Sequence, residues 1–415
     1  MCFRGLRRER TLKFLLALIV LAILALAGSR RVLFARSVPL GARLIFLTGT
    51  EFIIVGFLLG ESYLGLIDGK ALEGFEPFLA VGLGCVGLLF GLQFDRKSLQ
   101  ALPPPVFAAS LGQSLLVMAL VALAFYPLLA GWVGWPRNGA LGASVTLGAA
   151  AACTGQPALA MLQRRFTSDR HDRLLLLRYI ASVDALPPIL ALGVLTGLHA
   201  GGIGGRYGEV GFQKLLLVLS LAVVCGWLFA SMTRERMTRP EKLLVILGSC
   251  ALCGGMARQT GISILFSSMV LGLVVANISP LRARVTEYLA GGEKFVYVVL
   301  LILAGASLRF PASWSLALVG VYVAARMASK FLGNLAVTFP VAGKERAPFW
   351  VGLGLTSHAG MSLAIAIDFL HTFPCRFGHV VLTVVVLGII VSELFGPALA
   401  VAVIGGKEEP SKDAS

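Results

Sequence analysis

The chain has 415 residues, of which 57% are hydrophobic and 14% charged, with a mean hydropathy of +0.86. That balance excludes a soluble globular domain. The net charge of +15 lies in short segments between apolar runs, so it reads as the positive-inside signal of a polytopic membrane protein and not as a nucleic-acid surface.

Hydropathy predicts about thirteen spans, at 12–28, 38–60, 77–95, 104–130, 138–163, 173–198, 212–231, 241–257, 262–278, 293–309, 313–338, 347–370 and 377–405. The expected fold class is therefore an all-α polytopic membrane protein in a lipid bilayer. The 48 glycines suit close helix–helix approach there. The seven cysteines lie mostly inside apolar spans and suggest no disulfide framework. Cys250 and Cys253 form a C-x-x-C, read as packing because no metal-ligand partners flank it. The tail 406–415 is polar and too short to fold.

Orientation follows from loop charge. Loops after the odd-numbered spans carry 19 Lys and Arg residues, against 7 after the even-numbered ones. The first set is expected in the cytoplasm, together with the C-terminus. The N-terminal stretch disagrees, since Arg4, Arg7, Arg8, Arg10 and Lys13 favour the inside. A basic start, an apolar run and Ala-Gly-Ser also resemble a signal peptide, but Arg30 and Arg31 are unusual just after a cleavage site. Residues 12–28 are read as a retained span, and 1–37 as that span with its basic loop.

Polar residues inside the spans mark the candidate site. Glu51, near the start of the second span, either lines a vestibule or sits at the interface. The fifth span contains Cys153-Thr154-Gly155-Gln156-Pro157. Gly155 and Pro157 weaken the helix, and Pro157 frees the carbonyl of Cys153. Thr154 and Gln156 add side-chain oxygens at that break, and a helix broken near mid-membrane presents its ends to an ion.

The sixth span holds Ser182-Val183-Asp184-Ala-Leu-Pro187-Pro188. A carboxylate at that depth is expensive, so Asp184 is read as functional. The two prolines deprive the carbonyls of Val183 and Asp184 of their helical partners. The alternative is a kinked helix whose Asp is merely paired.

In the eleventh span, Arg326 and Lys330 are four apart and share a face. Lys330 lies deep and needs a counter-charge, for which Asp184 is the candidate. Snorkelling to an interface is the plainer reading for Arg326. The twelfth span has a second polar, glycine-bearing interruption, Gly352-Leu-Gly-Leu-Thr356-Ser357-His358-Ala359-Gly360-Met361-Ser362. In the last span, Ser392-Glu393-Leu-Phe-Gly-Pro397 echoes the Asp184 segment, each acid having a proline four residues on. Thr154 precedes Asp184 by 30 residues and Gly360 precedes Glu393 by 33. Spans 2–6 and 9–13 therefore look like two inverted five-helix repeats with two crossing discontinuous helices.

Several stretches resemble the cation:proton antiporters of the sodium/proton exchanger superfamily, nearest the Kef-type and bacterial proton-antiporter branch. They are Phe52–Ile67, Leu88–Asp95, Val183–Pro188, Ile264–Asn277 and the Lys330 segment, taken together over roughly 38–405. The resemblance implies a homodimer with a contact panel at 38–95 and 241–311 and a moving core at 104–198 and 313–405. It implies that Asp184 binds the ion, that Lys330 is the core lysine, and that Thr154 lies in the first broken helix. Two positions depart from the pattern. Val183 stands where electrogenic relatives have a second acid and others an amide, and Gly360-Met361 stands where many have Gly-Glu.

The function expected is a secondary antiporter, not an enzyme, exchanging Na+ or K+ for H+ by alternating access in a bacterial plasma membrane. Asp184, Lys330 and Thr154 would carry it, with no cofactor. Cys153, Gln156, Val183, Ser357, His358, Gly360, Glu393, Arg326 and Glu51 are accessory candidates. An organic-anion transporter of similar broken-helix fold is one alternative, favoured by His358 and the two basic residues near the core. A non-transporting membrane scaffold or sensor is the other.

Overall fold

The computed structural model describes residues 15–26, 49, 51–100, 103–155, 159, 166–167, 171–199, 207–232, 238–279, 282–309, 314–341, 349–358, 360–404 and 407–408. In chain order the main helices are α1 (Leu15–Leu26), α2 (Glu51–Leu59), α3 (Gly69–Gly91), α4 (Pro104–Pro127), α5 (Arg137–Ala152), α6 (His171–Val183), α7 (Leu186–His199), α8 (Tyr207–Met232), α9 (Arg239–Thr260), α10 (Ile264–Ile278), α11 (Arg282–Ala306), α12 (Trp314–Gly333), α13 (Gly360–Thr372) and α14 (Arg376–Ile404). Wider π turns extend α4 over Leu128–Trp132 and α12 over Asn334–Thr338, and a 3-10 turn at Val351–Leu355 precedes α13. Among the described residues, the regular structure is helical apart from β1 (Phe166–Thr167) and β2 (Lys407–Glu408), a two-residue antiparallel pair.

Sequence sets the helix ends. Asp68 accepts the Ala71 amide at 2.8 Å and starts α3. Thr238 and Glu241 form a capping box at α9, which ends on Gly261 at φ +76°. Consecutive prolines at 103–105 supply the first turn of α4.

Several helices differ from the hydropathy boundaries. α3 begins at Gly69 instead of 77, and α11 at Arg282 instead of 293. Lys70, Glu73 and Glu76 lie on the added turns of α3, and Arg282, Arg284 and Glu287 on those of α11. Their charge hides helix from an apolar window. The second span is described only from Glu51. Among the described residues, seven helical runs are long and apolar enough to cross a bilayer, and α1, α10, α13 and the Lys294–Ala306 part of α11 are shorter apolar pieces. α1 is packed against the body through Ala17, Leu21 and Ala25, a face repeating every four residues.

The helices fall into two packing sets. In one, α2 lies on α11, α3 on α10, and α9 on both α3 and α10. The α2–α11 contact is reciprocal: a Cβ on Gly56 would stand 2.0 Å from the Ile302 carbonyl oxygen, and one on Gly305 2.1 Å from that of Ile53. Only glycine allows the backbones so close. In the other set, α4 packs on α5, α6 and α12, while α14 packs on α12 and α13. α7 and α13 border both sets. The polar spans 5, 6, 11, 12 and 13 all fall in the second.

Candidate ion-binding site

α5 stops at Ala152 because Cys153 turns extended, at φ −71° and ψ 140°. Its last carbonyls then lack intrahelical partners and carry the negative end of the helix dipole. Two cations from α12 supply the donors. Arg326 donates from Nε to the Ala151 carbonyl at 3.1 Å and from Nη2 to that of Cys153 at 3.0 Å. Lys330 Nζ donates to the Ala152 carbonyl at 2.5 Å. The four-residue spacing of the two bases thus matches successive carbonyls of a broken helix end.

Asp184 lies where α6 gives way to α7, among a stretch that is not helical at 184–185. Its backbone carbonyl, released by Pro188, accepts the Ser114 hydroxyl of α4 at 2.5 Å. Its carboxylate is 2% exposed. Oδ2 accepts the Thr154 hydroxyl and lies 3.4 Å from Lys330 Nζ. The same ammonium donates to Thr154 Oγ1 at 2.8 Å. Asp184 Oδ1 has no hydrogen-bond partner among the described residues. Asp184, Thr154 and Lys330 are therefore one cluster, drawn from three separate spans.

The second interruption crosses the first. Residues 356–358 are non-helical between the 3-10 turn and α13. The Gly155 amide donates to the Ser357 carbonyl at 2.9 Å. A Cβ on Gly155 would meet the His358 carbonyl oxygen at 2.5 Å, so the crossing requires glycine. Arg326 binds this strand too: Nη1 donates to the Thr356 carbonyl, and Nη2 to that of Ser357 at 3.2 Å.

Snorkelling, the plain alternative for Arg326, does not fit this placement. The residue is wholly buried, and its guanidinium joins both broken helices through four backbone carbonyls. A planar fork with five donors suits that task.

Glu393 belongs to the second interruption. Its Oε1 accepts the Ser357 hydroxyl and the His358 amide, both at 2.8 Å, which caps the approach to α13. Oε2 is buried with no partner among the described residues. Thr154 beside Asp184 and Ser357 beside Glu393 are thus the equivalent pairs. The counterpart of Thr154 is Ser357 and not Gly360, whose added Cβ would instead stand 2.3 Å from the Tyr297 ring of α11.

His358 is fixed in place. Ser362 donates its hydroxyl to the Ala150 carbonyl at 2.8 Å, so His358 Nδ1, 3.0 Å from Ser362 Oγ, is the donor there. Its ring stacks on Tyr322 at a centroid distance of 5.9 Å. Val183 and Cys153 are buried, and Cys153 contributes its backbone carbonyl to Arg326. Gln156 lies outside the described residues. Glu51 starts α2, in the set built on α11, and Tyr297 of α11, which borders Gly360, lies within electrostatic reach of both Glu51 and Glu393.

Sequence reasoning missed two contributors. Ser114 carries only the weak signal of a polar residue in α4. Asp368, in α13, is a further buried carboxylate, accepting the Ser263 hydroxyl and the Ile264 and Leu265 amides at 3.0 and 3.4 Å.

Residues 32–403 match the family described as sodium/hydrogen exchanger, transmembrane. No protein of curated function matches the chain in sequence. Among solved structures, that of the sodium proton antiporter MjNhaP1 from Methanocaldococcus jannaschii at pH 8 is similar at a TM-score of 0.64 and 15% identity, covering 95% of this chain and 100% of that one. An electron-microscopy structure of the same antiporter gives a TM-score of 0.55 at 14% identity over 87% and 92%. At such identities both are likenesses of fold.

Proposed function

The chain belongs to the sodium/hydrogen exchanger transmembrane family, and from that premise we propose that it exchanges Na+ or K+ for H+ at Asp184 by alternating access. One observation carries this reading: a buried carboxylate with one unshared oxygen, a cationic partner at 3.4 Å and a hydroxyl beside it, all at a helix break.

The geometry suits competition. With neither ion bound, Lys330 neutralises Asp184. A proton joins the carboxylate directly. A monovalent cation takes carboxylate oxygen and Thr154 Oγ1, and Lys330 withdraws from Oδ2 while keeping the Ala152 carbonyl. One carboxylate holds either ion but not both, which couples the fluxes. No covalent step and no cofactor enter. The set with α4–α7 and α12–α14 would carry this site past the set with α2, α3 and α9–α11, the latter forming a homodimer contact in a bacterial plasma membrane. The excess of Lys and Arg in the loops after the odd-numbered spans supports a cytoplasmic C-terminus.

The organic-anion alternative is less favoured by the same geometry. Arg326 and Lys330 are engaged by backbone carbonyls and by Asp184, and neither is offered to an anion. The test is proton movement in sealed vesicles on addition of Na+, K+ or Li+. No cation-dependent proton movement in wild-type vesicles would reject the antiporter and leave the scaffold.

A further inference from the structure

Asp368 is wholly buried, and its hydrogen bonds leave its own packing set. It stands on α13, which packs on α5 and α14 beside the candidate site. Its carboxylate caps α10, which packs on α3 and α9 in the other set. A second residue joins the same point: Thr196 of α7 accepts the Ser263 amide at 3.0 Å. Ser263 in turn accepts the Phe266 amide at 3.0 Å. Ser263 and Thr196 are also wholly buried.

Contacts of this kind have two states and little between them. A buried carboxylate or amide that loses its partner must find water, because leaving it bare is costly. Asp368 is eight residues beyond Gly360, so it lies roughly 12 Å along the helix from the second interruption. Just beyond it, between the two sets, is a cavity of about 180 Å³ lined by Glu76, Ser307, Ile367, His371 and His379. The nearby helix ends, at Arg258, Arg309 and Arg376, belong to the loops poor in positive charge, which are expected outside.

We propose that Asp368 is a positioning residue that latches the outer side of the transporter: it holds the α10 N-terminus while the route between Asp184 and the outer cavity is closed, and it must leave Ser263, Ile264 and Leu265 for that route to open. This rests on the antiporter reading above. Losing the latch biases the protein toward the outward-open form. Apparent affinity for a cation scales with the fraction of protein in the binding-competent form. Outer KM then falls and cytoplasmic KM rises.

Two experiments test it in proteoliposomes of known orientation. In the first, Ser263→Cys and Asp368→Cys are combined and bridged with an oxidant. Exchange is expected to fall at least tenfold on bridging and to recover with reductant; exchange that continues at the unbridged rate overturns the latch. The second uses Asp368→Asn, which keeps the shape, and measures KM at each face. Opposite shifts at the two faces support the latch. Equal shifts, or none, reduce Asp368 to a structural cap. Labelling of Ser307→Cys by an impermeant maleimide, faster in the reduced than in the bridged protein, scores the latch without transport. If wild type moves no ions, the antiporter reading fails while this labelling difference still reports on Asp368.

Discussion

The Gly155 amide donates to the Ser357 carbonyl at 2.9 Å, so the two interrupted helices meet backbone to backbone at the centre of the site. That contact places Thr154 next to Asp184 on one side and Ser357 next to Glu393 on the other. Arg326 spans the crossing from α12. The site is thus assembled from unwound segments, and its rigidity depends on how their backbone groups are satisfied.

Gly155→Ala tests the crossing. The added methyl would meet the His358 carbonyl oxygen at 2.5 Å and the Ser357 hydroxyl at 2.8 Å, and backbone cannot swing aside as a side chain can. Overpacking of this kind costs about 1–3 kcal/mol. The variant is expected to melt lower in detergent and to exchange ions poorly. An unchanged melting temperature would show that the strands cross less tightly.

Arg326→Lys is expected to be more damaging than its conserved charge suggests. A single ammonium cannot reach the four carbonyls of Ala151, Cys153, Thr356 and Ser357 that the guanidinium bonds. Each buried acceptor left without a donor costs about 1–3 kcal/mol. Thermal melting of purified protein measures the loss. A stability equal to wild type would show that charge alone matters at this position.

Asp184→Asn removes the charge and keeps an oxygen for the Thr154 hydroxyl. Cation-driven proton release should drop to the level of empty vesicles, with folding retained. Full activity in this variant would remove Asp184 from the ion path.

Lys330→Ala leaves the Asp184 carboxylate unpaired and the Ala152 carbonyl without its donor. Breaking a buried pair costs about 3–5 kcal/mol, less where water enters. With no cation beside it, the carboxylate competes better for protons. The pH at which exchange begins should therefore move up, alongside a lower melting temperature. If both stay put, the two residues are not functional partners.

Much of this was legible in the sequence, for reasons that also explain what was not. Prolines at 187 and 188 announce a break at Asp184, because they remove donors whatever the tertiary fold. Hydropathy finds the long spans, but it loses the charged first turns of α3 and α11, where Lys70 and Arg282 stand outside the apolar window. The fate of Arg326 is invisible because its partners are backbone carbonyls, which every residue has. Asp368 was missed for a related reason: its partners at 263–265 lie more than a hundred positions away, and no local pattern links them. The short acid–proline echo at Glu393 indicated the right segment, but the hydroxyl that answers it is Ser357, which only the crossing brings into reach.

The charge carried per cycle follows from what stands beside Asp184. Its neighbour is Val183, so span six supplies one acid. Glu393, the acid of the second interruption, has only its Oε1 engaged, by the Ser357 hydroxyl and the His358 amide. If Lys330 stays protonated throughout, the proton-loaded and cation-loaded forms carry equal charge. One proton then exchanges for one monovalent cation, and no net charge moves. If Lys330 gives up its own proton when displaced, two protons move per cation and exchange is electrogenic. The ammonium donates to the Ala152 carbonyl at 2.5 Å, at the negative end of α5, and that contact does not depend on Asp184. Electroneutral exchange is therefore expected. In proteoliposomes with cation and proton gradients set equal and opposite, an imposed membrane potential should leave the balance point where it is. A balance point that moves with voltage rejects one-for-one exchange, and repeating the measurement with Lys330→Gln and with Glu393→Gln identifies the group that carries the extra proton.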